Sequence, residues 1–211
     1  MNSLPRTQFS KRLWLACLFG VASACTDVNK DEHHHDHNHG LPTTAILSFL
    51  DEDGSTHTFE WSQPDSHEEA TIDQIELSAD AGVYEMSVQI LNEAGGSAED
   101  ITPEIAQFAT EHQLFFTGSA IEGPATGTNE DALLVHAYDD EDEDGLPLGL
   151  ENTLTVLGAG TGEMSIMLRH MPPENGQAVK TADSAEVVAT DGFSALGGDI
   201  DLNVTFPLLV E

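Results

Sequence analysis

Near the C-terminus, Ile200, Leu202, Val204, Phe206, Leu208 and Val210 alternate with Asp201, Asn203 and Thr205. A period of two lines the apolar side chains along one face of an extended strand, whereas a helix would scatter them around its axis. The same alternation recurs where Tyr84, Met86, Val88 and Ile90 interleave with Glu85, Ser87 and Gln89, and where Met164, Ile166 and Leu168 interleave with Ser165, Met167 and Arg169. Shorter strands are expected at residues 43–50, 56–62, 72–77, 112–118, 132–138 and 153–157. Asp51-Glu52-Asp53-Gly54 carries the Asp-Gly signature of a hairpin turn joining the first two. One helix is expected, with Thr102 as N-cap, Pro103 at the first helical position and Glu104 in the first turn, and with Ile105, Phe108 and Ala109 on one face. Residues 171–198 are rich in Pro, Gly, Ala and Ser and read as a long irregular loop. Strands without a βαβ rhythm predict a mainly β domain over residues 42–211, an antiparallel two-sheet β-sandwich of immunoglobulin-like architecture with one short helix.

Charge restricts what such a domain can bind. The 211 residues hold 38 Asp and Glu against 6 Lys and Arg, a formal charge of −32. Binding to nucleic acid through phosphate neutralisation is excluded, because that needs a Lys/Arg patch. Charge-driven docking on anionic lipid is disfavoured for the same reason. Cations, in contrast, are attracted. With 39% apolar residues the chain can still build a core.

The N-terminus reads as a leader. Arg6, Lys11 and Arg12 precede an apolar run from Leu13 to Ala24, then Cys25. This run is too short for a mature transmembrane helix and suits a signal peptide over residues 1–24. Val21-Ala22-Ser23-Ala24-Cys25 resembles the lipobox of bacterial lipoproteins, in which the cysteine becomes the lipidated first residue; Ala22 departs from the commoner Leu or Val. Cys17 would leave with the leader and Cys25 would take the lipid, so no disulfide can form. By resemblance to lipoprotein sorting in enteric bacteria, Thr26 in place of Asp after the lipidated residue implies the outer membrane, on its periplasmic or its outer face.

Residues 25–41 read as a flexible tether holding His33, His34, His35, His37 and His39 among Asp31, Glu32 and Asp36. Imidazole is largely neutral at pH 7 and can ligate without first losing a proton. This nitrogen and oxygen set suits Zn²⁺, with Cu²⁺ and Ni²⁺ chemically possible. A plain acidic spacer is the alternative.

The run from Asp140 to Glu151 fits D-x-D-x-D-G-x₅-E. Alternate residues of such a loop point oxygens inward, so Asp140, Asp142 and Asp144 would supply carboxylates, Leu146 a carbonyl and Glu151 a bidentate carboxylate to Ca²⁺. Gly145 would allow the sharp turn. The flanks read as strands where an EF-hand has helices, and an acidic hairpin tip is the alternative. His112, His136 and His170 fall in three expected strands or at their ends and form a further candidate site for a transition metal. No G-x-S-x-G elbow appears, and Gly158-Ala159-Gly160-Thr161-Gly162 does not precede a helix, so no enzyme is expected.

Several segments carry a wider resemblance: Glu111-His112-Gln113-Leu114-Phe115-Phe116, Asp142 to Leu150, Leu168-Arg169-His170 and Gly198 to Pro207. Through them the chain resembles a group of small bacterial envelope lipoproteins encoded near TonB-dependent outer-membrane receptors. Met171 stands where that group leads one to expect an acid. The resemblance implies an envelope location, a TonB-dependent receptor as a candidate partner, and uptake of a metal or ligand. The expected function is therefore a lipid-anchored metal-binding accessory protein, with zinc on the tail and structural calcium in the acidic loop. The alternative is an envelope binding or adhesion module whose sandwich recognises a protein or glycan.

Overall fold

A computed structural model describes residues 40–65, 67 and 69–211. The described chain is mainly β, with twelve strands and two helices. The first strands are β1 (Thr44–Asp51), β2 (Thr56–Ser62), β3 (Thr71–Ile72), β4 (Ile75–Leu77), β5 (Val83–Asn92) and β6 (Glu99–Asp100). Helix α1 (Thr102–Gln107) leads to β7 (His112–Thr117), β8 (Ile121–Glu122), β9 (Leu134–Tyr138), β10 (Glu151–Val156) and β11 (Gly160–His170). Helix α2 (Ser184–Asp191) precedes the last strand, β12 (Asp199–Val210).

Two sheets result. The first runs β3-β2-β1-β5-β10-β9-β8 with β6 beside β5, and the second runs β4-β12-β11-β7. Pairing is antiparallel except for β4 with β12 and β8 with β9, which are parallel. Alternation explains the core. Leu47, Phe49, Met86, Val88 and Ile90 of the first sheet share one buried cluster with Leu114, Phe116, Ile166, Leu168, Val204 and Phe206 of the second. Among the described residues no helix is long and apolar enough to cross a membrane.

The expected hairpin forms, with β1 and β2 paired around a turn in which Asp51 Oδ1 accepts from the amides of Asp53 and Ser55 at 3.0 and 2.8 Å. Three expectations need correction. The strand expected over 72–77 is two strands in different sheets. Between them Asp73 caps the end of the first sheet, donating to the Glu60 carbonyl and accepting from its amide. Helix α1 is not capped by the Thr102 side chain, whose hydroxyl instead accepts from the Ile90 amide and donates to its carbonyl, fastening the helix to β5.

Residues 171–198 are not an irregular loop. They contain α2 and a 3₁₀ turn at Phe193–Ala195, and with them a second buried cluster of Phe115, Ala125, Met171, Ala185 and Val188. Phe115 lies between Leu114 and Phe116, so it points away from the shared core. The second sheet is thus buried on both faces here, which accounts for the unbroken apolar run in β7.

Candidate metal centre

The register of the second sheet assembles the site. His112 opens β7 and pairs directly with His170, the last residue of β11. On the other side of β11, Leu168 pairs with Leu202 but Arg169 pairs with Ile200, leaving Asp201 as the extra residue of a β-bulge. A bulge re-aims a side chain. Here Asp201 comes beside the two imidazoles, with its Oδ2 3.9 Å from His112 Nε2. One ligand atom from each of His112, His170 and Asp201 lies within 4.8 Å of the others, the one such group of three or more among the described residues.

The imidazoles stack, with centroids 4.7 Å apart and planes 11° from parallel. His112 is fully buried, and its Nδ1 lies 2.9 Å from the Phe108 carbonyl. A carbonyl only accepts, so Nδ1 carries the proton and Nε2 presents its lone pair. His170 Nε2 lies 3.6 Å from Glu111 Oε2. A two-histidine, one-carboxylate set with a second carboxylate at hand suits Zn²⁺ and other borderline divalent ions.

Buried cations hold this corner from two sides. Arg169 Nη2 donates to the carbonyls of Leu196, Gly197 and Gly198 at 3.0, 2.7 and 3.0 Å, drawing the end of the 171–198 excursion onto the root of β12. Gly198 turns there at φ 77°, and a Cβ at this position would land on the His170 carbonyl. Lys180 Nζ donates to the Ala109 carbonyl at 2.8 Å, in the 3₁₀ turn Ala109–Glu111 that leads into His112, and to Asp142 Oδ2 at 2.7 Å.

His136 does not join the other two histidines. It sits on β9 in the first sheet, with Phe116 and Tyr138 at centroid distances of 4.5 and 4.6 Å, and its Nε2 lies 2.9 Å from Asn152 Oδ1. Burial pushes its pKa down to about 4. It is a neutral core histidine. Asp201 takes the place expected for it, a residue that alternation alone assigned to the solvent face of its strand.

The acidic loop turns at Gly145, φ 74°, as the spacing requires. Its oxygens, however, are engaged within the protein. Asp140 accepts from the amides of Gly149 and Leu150 at 2.6 and 2.9 Å. Asp142 Oδ1 accepts from the amides of Asp144 and Leu146, both at 2.9 Å, while Oδ2 takes the Lys180 ammonium. The Leu146 carbonyl, expected to face a cation, accepts from the Asp142 amide at 2.8 Å. Glu151 begins β10, where burial and then the charges of Asp140, Asp139 and Glu85 raise its pKa. The loop therefore does not gather Asp140, Asp142, Asp144 and Glu151 into one ligand cluster; Lys180 supplies the positive charge that the spacing assigned to Ca²⁺. Cys25 and the tail residues His33, His34, His35, His37 and His39 lie outside the described residues.

No protein-family model, curated protein or solved structure matches the chain.

Proposed function

We propose that this chain is a lipid-anchored accessory protein of the cell envelope that captures a transition metal, zinc foremost. An immunoglobulin-like two-sheet sandwich holds the ion at His112, His170 and Asp201, and the histidines at 33–39 serve as a labile collecting arm. The observation that carries this reading is the convergence of His112, His170 and Asp201 at one corner of the second sheet. The surface supports it. From residue 40 onward the only Lys and Arg are Arg169 and Lys180, and both are buried, so acidic groups dominate the charge at the surface and the field concentrates divalent cations. The lipobox-like run ending at Cys25 and the resemblance to receptor-linked lipoproteins support an outer-membrane location with a TonB-dependent receptor as partner.

Calorimetric titration of the full-length lipid-free protein with Zn²⁺, against a competing chelator, tests the reading. One tight site is expected, retained when the five tail histidines become alanine and lost in His112→Ala and in Asp201→Asn. Unchanged tight binding in both body variants would refute it.

A further inference from the structure

We infer that Glu111 is the fourth ligand of this centre, closing it into a site of two imidazoles and two carboxylates that keeps an ion in custody and leaves no position for a substrate. This rests on the metal-binding reading of His112, His170 and Asp201. Each histidine tip has a carboxylate beside it: Asp201 Oδ2 is 3.9 Å from His112 Nε2, and Glu111 Oε2 is 3.6 Å from His170 Nε2. All four of these atoms are withdrawn from solvent. Two nitrogens and two oxygens, shielded together, make up a zinc complement without a sulfur donor.

The backbone fixes Glu111 as firmly as it fixes His112. The Glu111 amide donates to the Phe108 carbonyl at 2.9 Å, the same oxygen that sets the His112 tautomer. Its own carbonyl accepts from the Met171 amide at 2.6 Å, next to His170. Glu111, His112 and His170 are therefore carried on one hydrogen-bonded corner. Glu111 lies outside the group of three whose ligand atoms come within 4.8 Å of one another, so its side chain has to turn from His170 to join a shared ion. Charge favours the same set. A divalent ion on two neutral imidazoles and Asp201 leaves one uncompensated positive charge in a buried place, which is costly. Glu111 brings the sum to zero. With four protein ligands, the tetrahedral shell of Zn²⁺ is complete, as in structural sites, whereas catalytic sites keep one position for water.

Co²⁺ substitution tests this in the full chain with the five tail histidines replaced by alanine. Four-coordinate Co²⁺ absorbs intensely in the visible, and higher coordination weakens the band. Glu111→Gln is expected to lower Zn²⁺ affinity at least tenfold and to shift the cobalt band as water takes the fourth position. Glu111→His, which restores a protein ligand, is expected to recover most of the affinity. Two results would overturn the assignment: an unchanged band and affinity in Glu111→Gln, or a loss of affinity with the band intact, which would make Glu111 an orienting partner of His170. Absence of any cobalt band and of zinc binding in the parent chain would overturn the centre itself, and Glu111 with it.

Discussion

Lys180→Met should be among the most destabilising single changes in the body. The Lys180 side chain is 1% exposed, and its ammonium lies 2.7 Å from Asp142 Oδ2 and 2.8 Å from the Ala109 carbonyl. Burial pulls the Lys180 pKa down; for Asp142 burial acts upward, but Lys180 and the loop amides outweigh it and hold that carboxyl below its usual range. Methionine fills much the same volume but leaves a buried carboxylate without its cation and a carbonyl without its donor. Breaking one side of a buried pair costs about 3–5 kcal/mol. For a domain of this size that lowers Tm by roughly 6–20 °C. Thermal and urea unfolding measure it. Adding Asp142→Asn keeps an acceptor for the amides of Asp144 and Leu146 while removing the stranded charge, so the double variant should regain more than half of the loss. A Lys180→Met protein that melts with the wild type, or a double variant as unstable as the single, would refute this account of the loop.

Three further outcomes are expected. His136 stays neutral in the fold with a pKa of about 4; its contribution is complete above its unfolded value of ~6.5 and is lost as pH falls, by about 2 kcal/mol at pH 5. Urea unfolding at pH 7 and pH 5 should therefore show a loss smaller by that amount in His136→Gln, and an identical loss in both proteins would count against a buried neutral imidazole. Gly198→Ala forces a side chain into a left-handed turn and onto the His170 carbonyl, so it should destabilise by about 2 kcal/mol or more and weaken Zn²⁺ binding, both visible by melting with and without the metal. Intact-mass measurement of membrane-extracted protein should find a diacylglycerol adduct on a chain beginning at Cys25; an unmodified thiol there would remove the anchor from the proposal.

The strands were legible because each buries one face, and alternation records that directly. Leu202 to Val210 and Tyr84 to Ile90 appear in β12 and β5 with their alternating apolar residues inward, whereas Ile200, on the far side of the bulge, is 52% exposed. Legibility failed where burial is two-sided or carried by few residues. Helix α2 is eight residues long and buries only Ser184, Ala185 and Val188, too little for a periodic signal against the surrounding Pro, Gly and Ser. The candidate metal centre was half visible. His112 and His170 stand out as residue types, but their pairing depends on strand register, which composition does not encode. Asp201 was hidden altogether, since its position follows from a bulge between Leu168 and Arg169. The acidic loop shows the reverse failure. Its spacing was read as a calcium ligand set, while the cation that meets it comes from a lysine 38 residues further along the chain.

The withdrawal of both cations has a consequence for proteolysis. Within residues 40–211, trypsin has two possible targets, the bonds after Arg169 and Lys180. Arg169 is 5% exposed and gripped by three carbonyls within a paired strand, and Lys180 is 2% exposed with its ammonium on Asp142. Neither side chain can enter a protease pocket until the structure around it opens. Glutamate-specific cleavage faces the opposite situation, with carboxylates over the whole surface. The folded body is thus a poor substrate for basic-residue proteases, and where reclosing outpaces cleavage, tryptic digestion of the body proceeds in proportion to the population of the opened state.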